Sequence, residues 1–81
     1  MINNTTLYFK RKNKKNLLIK ELSNIMNFDD KFYLKKNIYL ENSKYLVVIS
    51  KHFIRVLVFN NDRASVEYIE NTINSINTSG K

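Results

Sequence analysis

Basic side chains are concentrated near the start of the chain, and their type and spacing point most directly to chemistry. Residues 1–20 carry six basic and no acidic side chains, a net charge of +6, whereas the rest of the chain carries eight basic and seven acidic ones. Five of the six cations lie within residues 10–15, namely Lys10, Arg11, Lys12, Lys14 and Lys15. Clustered lysine and arginine bind phosphate groups and other anions. The sequence therefore predicts a local anion-binding patch rather than a generally basic surface.

A helix is expected to begin beside this patch, capped by Asn13 or Asn16. Lys14 and Lys15 would then lie near the first helical turn, where the helix dipole and the unpaired amide groups already favour negative charge. Lysines at this position are unfavourable unless an anion binds. The alternative is a solvated run of charge that only improves solubility. We favour an anionic partner.

The sequence offers little support for catalysis. His52 is the only histidine, and the absence of cysteine excludes a Cys–His nucleophile. The acidic residues form no recognisable metal-binding or acid–base motif, and no glycine precedes Gly80 that could build a phosphate-cradling loop. We therefore expect a non-catalytic binding protein without a cofactor or a metal. His52 is expected in a turn, because histidine tolerates a left-handed backbone.

The length of 81 residues is that of one domain, expected over residues 1–81 with residues 77–81 as a frayed tail. Because cysteine is absent, no disulfide can stabilise the small core, which suits a reducing compartment. The sequence shows neither a secretory signal nor an apolar run long enough to cross a membrane. We expect a cytoplasmic protein with no membrane partner.

Hydrophobic periodicity predicts the elements that must position these residues. Residues 5–10 are typical of a short strand, and residues 32–40 alternate with period two and predict one strand. Residues 45–50 and 53–59 predict two more. A first helix is indicated by apolar residues at spacings of three and four, and it should end within residues 27–30; its stripe comprises Leu18, Leu22, Ile25 and Met26. A second helix should follow a cap at Asp62 or Asn61.

These elements predict an α+β fold of order β-α-β-β-β-α. The antiparallel sheet would comprise a three-strand meander plus a short N-terminal strand, with two helices packed on one face. Two-residue loops at Asn42-Ser43 and Lys51-His52 would pair Leu40 with Tyr45 and Ile49 with Ile54, which makes one face of the sheet almost wholly apolar.

The second face of this sheet is expected to be rich in aromatic residues. It would present Tyr33, Lys35, Asn37, Tyr39, Leu46, Val48, Ser50, Phe53, Arg55, Leu57 and Phe59. Such a face is unusual for a solvated sheet and should be covered. Unstacked bases could lie on the rings, or a protein could bury them, including a second copy in a homodimer through the sheet face. In a third arrangement, one helix packs on each face and the domain has three layers.

Two classes of function follow. In the first, the protein binds nucleic acid, either RNA or DNA, and its phosphates contact Lys10, Arg11, Lys12, Lys14 and Lys15. On the sheet face, bases contact Tyr33, Tyr39, Phe53 and Arg55, while Lys35 and Arg55 can also meet phosphates. In the second, it is a phage- or plasmid-type interaction protein. The same surface would then bind and block a host or defence enzyme that is acidic or processes nucleic acid.

From residue 14 onward, the predicted order α-β-β-β-α is similar to that of double-stranded-RNA-binding domains and of small RNA-cleaving toxins. The motif residues differ, because the final helix begins Asp62-Arg63-Ala64 without the lysine cluster that grips phosphates in those domains. His52 also lacks the glycine-containing context expected for the toxins' catalytic histidine. The order of elements alone therefore supports an analogy of fold and no activity.

Overall fold

A computed structural model describes residues 4–60 and 62–79 of the chain. The elements are β1 Thr5–Lys10, α1 Lys15–Ile25, β2 Asp30–Leu34, β3 Asn37–Glu41, β4 Tyr45–Ile49, β5 Phe53–Val58 and α2 Arg63–Ser79. The strands form one sheet of order β1-β5-β4-β3-β2, in which every neighbouring pair is antiparallel. The predicted α+β class, with an antiparallel sheet and two helices, is confirmed.

Both helices cover the same face of the sheet, as predicted. Leu18 and Leu22 of α1 and Ile69, Ile73 and Ile76 of α2 belong to one buried cluster. The strands contribute Ile38, Leu40, Tyr45, Val47, Ile49, Ile54, Val56 and Val58 to the same cluster. The arrangement with one helix on each face is therefore wrong, and neither α1 nor α2 covers the other face of the sheet.

The single strand predicted over residues 32–40 is wrong, because the chain reverses within it. Lys35 and Lys36 form a two-residue turn with φ of 51° and 71°, and Leu34 pairs with Asn37. This turn makes β2 and β3 a hairpin, so the sheet has five strands where four were predicted. Lysine is an uncommon residue at positive φ, and the sequence therefore carries no recognisable turn signal here.

The turn at Lys35-Lys36 provides a prediction for stability. A left-handed backbone costs a residue with a Cβ about 1–2 kcal/mol, and glycine avoids this cost while losing about 0.5–1 kcal/mol of chain entropy on folding. We expect Lys36→Gly to raise the free energy of unfolding by about 0.5–1 kcal/mol in a urea titration. Lys51→Gly is the control, because Lys51 has no positive φ. Equal effects of both substitutions would contradict the assigned turn.

The turn between β3 and β4 is shifted by one residue from the prediction. The Asn42 N–H donates to the Tyr45 carbonyl at 3.0 Å, so the loop is Ser43-Lys44 instead of Asn42-Ser43. The Asn42 Oδ1 accepts the N–H groups of Lys44 and Tyr45 at 2.8 and 2.9 Å, which stabilises this position. Leu40 therefore pairs with Val47, not Tyr45. Because the register shift is two residues, the side chains of β3 and β4 keep their predicted faces.

The turn at Lys51-His52 is confirmed. Ile49 pairs with Ile54, and the Ser50 N–H donates to the Phe53 carbonyl at 2.9 Å. His52 does lie in the turn, but the left-handed backbone expected there is wrong. Among the described residues, positive φ occurs only at Lys35 and Lys36.

The start of α1 differs from the prediction. Lys14 occupies the N-cap position and makes no capping side-chain hydrogen bond. Asn13 is buried instead, and its Nδ2 donates to the Ile76 carbonyl of α2 at 3.0 Å. Asn16 is an exposed residue inside the helix. The asparagine that resembled a cap therefore joins the β1–α1 loop to α2.

The start of α2 is as predicted, since the Asp62 Oδ2 accepts the Ser65 N–H at 3.2 Å. Asn61, the other candidate cap, lies outside the described residues. The helix continues to Ser79, so the frayed tail predicted from residue 77 is wrong for residues 77–79, whereas 80 and 81 lie outside the described residues. The Tyr45 hydroxyl donates to the Ser65 carbonyl at 2.8 Å, and burial raises the pKa of this phenol.

Candidate functional site

One end of the sheet collects most of the positive charge. Antiparallel pairing places the end of β1, the β2–β3 turn and the β4–β5 turn at the same end, and α1 also begins there. We call this surface the basic end; its cations are Lys10, Arg11, Lys12, Lys14, Lys15, Lys35, Lys36 and Lys51. The described segments 10–15, 35–36 and 50–52 that build it contain no acidic residue. Segments far apart in sequence therefore form one surface of like charge.

Two cations of the basic end hold its segments together. The Arg11 Nε donates to the Lys51 carbonyl at 2.9 Å, and its Nη1 donates to the Asn13 carbonyl at 2.8 Å. The Lys15 Nζ donates to the Lys36 carbonyl at 2.7 Å. Arg11 thus ties the β1–α1 loop to one hairpin turn, and Lys15 ties α1 to the other.

The other six cations of the basic end are exposed to solvent. Their side chains make no hydrogen bond or ion pair with the described residues; they are Lys10, Lys12, Lys14, Lys35, Lys36 and Lys51. The first turn of α1 contains no acidic residue, and its amide groups have no side-chain cap. Since the helix dipole adds positive potential at the same place, the basic end suits a polyanion.

The uncovered face of the sheet is aromatic and partly apolar. We call it the open face; it consists of Thr6, Tyr8, Lys10, Asp30, Phe32, Leu34, Asn37, Tyr39, Glu41, Leu46, Val48, Phe53, Arg55 and Leu57. Tyr8 and Phe53 are 70% and 58% exposed. The rings of Phe32 and Tyr39 are stacked with centroids 4.9 Å apart and an interplanar angle of 3°. Flat aromatic surfaces of this kind can stack on other rings.

A shallow depression lies on the open face beside the basic end. Its volume is about 370 Å³, and it is lined by Tyr8, Asn37, Val48, Ser50, Phe53 and Arg55. A smaller depression of about 180 Å³ continues along the face and shares Tyr8, Val48 and Arg55. Phe53 pairs with Lys10 across the strands, so the aromatic surface meets the cationic one directly. The two predicted surfaces are therefore adjacent.

Arg55 is placed to act on a ligand in either depression. It pairs with Tyr8 of β1 and Val48 of β4, which puts it in the interior of the open face. Its exposed guanidinium makes no ion pair or hydrogen bond with a described residue. A guanidinium beside aromatic rings can bind phosphate oxygens or stack on a base.

The structure brings together most of the predicted site residues. All five N-terminal cations belong to the basic end, and Tyr39, Phe53 and Arg55 lie on the open face. Two assignments to this face are wrong because of the unforeseen turn. Tyr33 pairs with Ile38 and lies on the helix side of the sheet, and Lys35 lies in the turn at the basic end.

Sequence reasoning missed several residues of these surfaces, among them Tyr8, Phe32, Lys36 and Lys51. A signal for Tyr8 was present, since it alternates with Leu7 and Phe9 and must lie on the opposite side of β1. Lys51 could be placed beside Arg11 only by knowing that β1 pairs with β5. Phe32 and Lys36 depended on the hidden turn.

The comparisons with known proteins add no functional assignment. Neither family models, nor curated proteins, nor solved structures yield a match to this chain. Within residues 4–60 and 62–79, no three His, Asp or Glu residues are grouped so that they could hold a metal ion. Neither helix in the described part of the chain is long and apolar enough to span a membrane.

Proposed function

We propose that this protein binds single-stranded nucleic acid, with phosphates at the basic end and bases on the open face. The observation that carries the proposal is the basic end, where separate chain segments bring eight cations together without an acidic residue among the described ones. Six of these side chains are exposed and have no partner in the described structure. Like charges at close range repel one another, and a polyanion removes this repulsion and releases its counterions.

The open face supports a single strand over a duplex. Tyr8 and Phe53 present exposed rings on which unpaired bases can stack, with about 1–3 kcal/mol per base. Bases in a duplex are already stacked on one another and cannot reach such rings. The Asn37 side chain at the edge of the larger depression provides an amide donor and acceptor for a base edge. The adjacency of Phe53 and Lys10 lets one strand contact both surfaces.

A protein partner is the second candidate, and one observation favours it. The centre of the open face is apolar, with Val48 buried and Leu46 and Leu57 half-buried around Arg55. An apolar centre with aromatic and arginine neighbours is typical of protein interfaces. A partner of this kind would be an acidic protein whose activity is blocked when the open face and the basic end bind it.

Salt dependence of oligonucleotide binding tests the first proposal. If all six free cations contact phosphates, the slope of log K against log salt should be roughly −4 for a single strand. Raising the salt from about 50 to about 200 mM should then weaken binding by about 10²–10³-fold. We expect Lys12, Lys14 and Lys51 replaced by alanine to halve this slope, measured by fluorescence anisotropy.

The matched control removes the same charge from outside the basic end by replacing Lys20, Lys44 and Arg63 with alanine. The slope should stay near its wild-type value, because these exposed residues lie elsewhere on the molecule. Absence of binding to single-stranded DNA and RNA at low salt would refute the proposal. Equal slopes in both triple variants would show that only net charge matters.

A further inference from the structure

The outer edge of β2 is the least protected part of the sheet. This strand ends the sheet, and all five of its residues are exposed. Phe32, Tyr33 and Leu34 are 43%, 66% and 53% exposed, so three consecutive large hydrophobic side chains lie on one free edge. Proteins usually protect such an edge with charged side chains, a proline, a bulge or a covering element, because its unpaired main chain can bind another strand. The charged residues of β2, Asp30 and Lys31, lie at one end of the strand, so residues 32–34 carry no charge. β2 contains no proline and pairs residue for residue with β3.

The main-chain groups of this edge are arranged for a further strand. The two-residue turn makes Leu34 and Asn37 a hydrogen-bonded pair, and antiparallel ladders alternate between bonded and non-bonded pairs. Phe32 is therefore bonded to β3, whereas the N–H and C=O groups of Lys31 and Tyr33 point away from the sheet. The edge offers two donors and two acceptors at alternate residues, which is the pattern that an added antiparallel strand requires.

Charge complementarity identifies the added strand. Asp29 and Asp30 lie at the start of β2, and Lys35 and Lys36 follow its end. The one ion pair within the described residues is Arg63–Glu67, so none of these four charges is paired. At a rise of about 3.4 Å per residue, Asp30 and Lys35 are about 17 Å apart and cannot pair within one chain. An antiparallel copy of the same strand brings the two acidic residues to the two lysines of the other chain, twice by symmetry.

We propose that a second copy of this chain pairs with β2 about a two-fold axis at Phe32, which joins the two sheets into one of ten strands. Lys31 of each copy pairs with Tyr33 of the other, and these two pairs make four main-chain hydrogen bonds. Phe32 meets Phe32 of the second copy on the open face, next to its stacked partner Tyr39. This dimer engages Lys35 and Lys36 of the basic end but leaves Lys51 and the cationic segment 10–15 free, and none of the observations behind it depends on the proposed function.

Oligomeric state measured by sedimentation tests the dimer. The short edge buries less than the roughly 1,200 Å² of a standard interface, so we expect micromolar dissociation and about twice the 9.7 kDa chain mass at about 200 µM protein. Tyr33→Pro removes an outward N–H without breaking the β2–β3 ladder and should give a monomer. Tyr33→Thr keeps this N–H and should retain dimerisation. A wild-type protein that is monomeric at this concentration overturns the proposal.

A charge exchange tests the antiparallel register. One variant carries Asp29→Lys and Asp30→Lys, and the other carries Lys35→Asp and Lys36→Asp, since aspartate tolerates the positive φ of this turn. Each variant alone should be monomeric because like charges face one another. A mixture of the two should form a heterodimer, since opposite charges then meet at both ends. Dimerisation of each variant alone would place the contact elsewhere, and a mixture that stays monomeric would refute the register.

The same variants separate this proposal from nucleic-acid binding. Tyr33→Pro changes neither the basic end nor the open face, because Tyr33 lies on the helix side of the sheet, so we expect this variant to bind an oligonucleotide as tightly as wild type. If the wild-type protein is a monomer and binds the oligonucleotide, the dimer is refuted and the proposed function is not. A wild-type dimer that binds no oligonucleotide would refute the proposed function alone.

Discussion

Replacing Tyr8 and Phe53 together with alanine should weaken the binding of a single-stranded oligonucleotide by about 30-fold or more. Each base stacked on an aromatic ring contributes about 1–3 kcal/mol, so two rings account for about 2–6 kcal/mol. Both rings are largely exposed on the open face and support no part of the buried cluster. We therefore expect the melting temperature to stay nearly unchanged. Fluorescence anisotropy and thermal unfolding measure the two effects on the same samples.

The control for this variant is Tyr68→Ala, which removes another exposed ring, on α2 and away from the open face. Its affinity for the oligonucleotide should match that of wild type. Unchanged affinity of the double variant would exclude stacking on these rings and favour the protein partner. A loss of several degrees in its melting temperature would instead mean that the rings stabilise the fold.

The second large effect is expected in the core, for Ile73→Ala. Ile73 is fully buried and packs with the inward side chains of the sheet. Truncation of a buried isoleucine costs about 2–5 kcal/mol, and a chain of this size has about 4–12 kcal/mol of total stability. We expect the melting temperature to fall by about 10 °C or more, as measured by circular dichroism.

Ile25→Ala is the matched control for the core variant. Ile25 was predicted on the buried stripe of α1, but it lies at the last residue of the helix and is 44% exposed. The same chemical change should cost less than about 1 kcal/mol there, because little of the side chain is removed from contact with protein. Similar losses for both variants would contradict the packing of α2 on the sheet.

Much of the fold follows from local patterns in the sequence. The alternation in β1, β4 and β5 and the helical spacing of Ile69, Ile73 and Ile76 depend on neighbours within a few residues. Each pattern describes which side chains can share a face, and burial of that face stabilises the element. The two-residue loop predicted at Lys51-His52 also gave the correct register of β4 against β5, because a short connection leaves few ways to pair two strands.

The turn at Lys35-Lys36 shows where local patterns stop being sufficient. Residues 32–40 alternate as one strand would, and neither lysine favours the left-handed backbone that the turn requires. The cost of the turn is compensated by long-range contacts, since Ile38 and Leu40 of β3 pair with Ile49 and Val47 of β4 and enter the core. The faces of Tyr33 and Phe32 therefore depend on an interaction that their own segment does not reveal.

The candidate site, like the fold, was predictable from the sequence only in part. The sequence alone predicted an anion-binding patch at Lys10 to Lys15, because the local density of charge is a property of the chain itself. Tertiary pairing added Lys51 and Lys36 to that patch and assigned Arg11 to backbone carbonyls. By itself the sequence determined the α+β class and the presence of one basic segment. Only the tertiary structure decided that this segment meets two hairpin turns and an open aromatic face, because these contacts join residues about 20 to 40 positions apart.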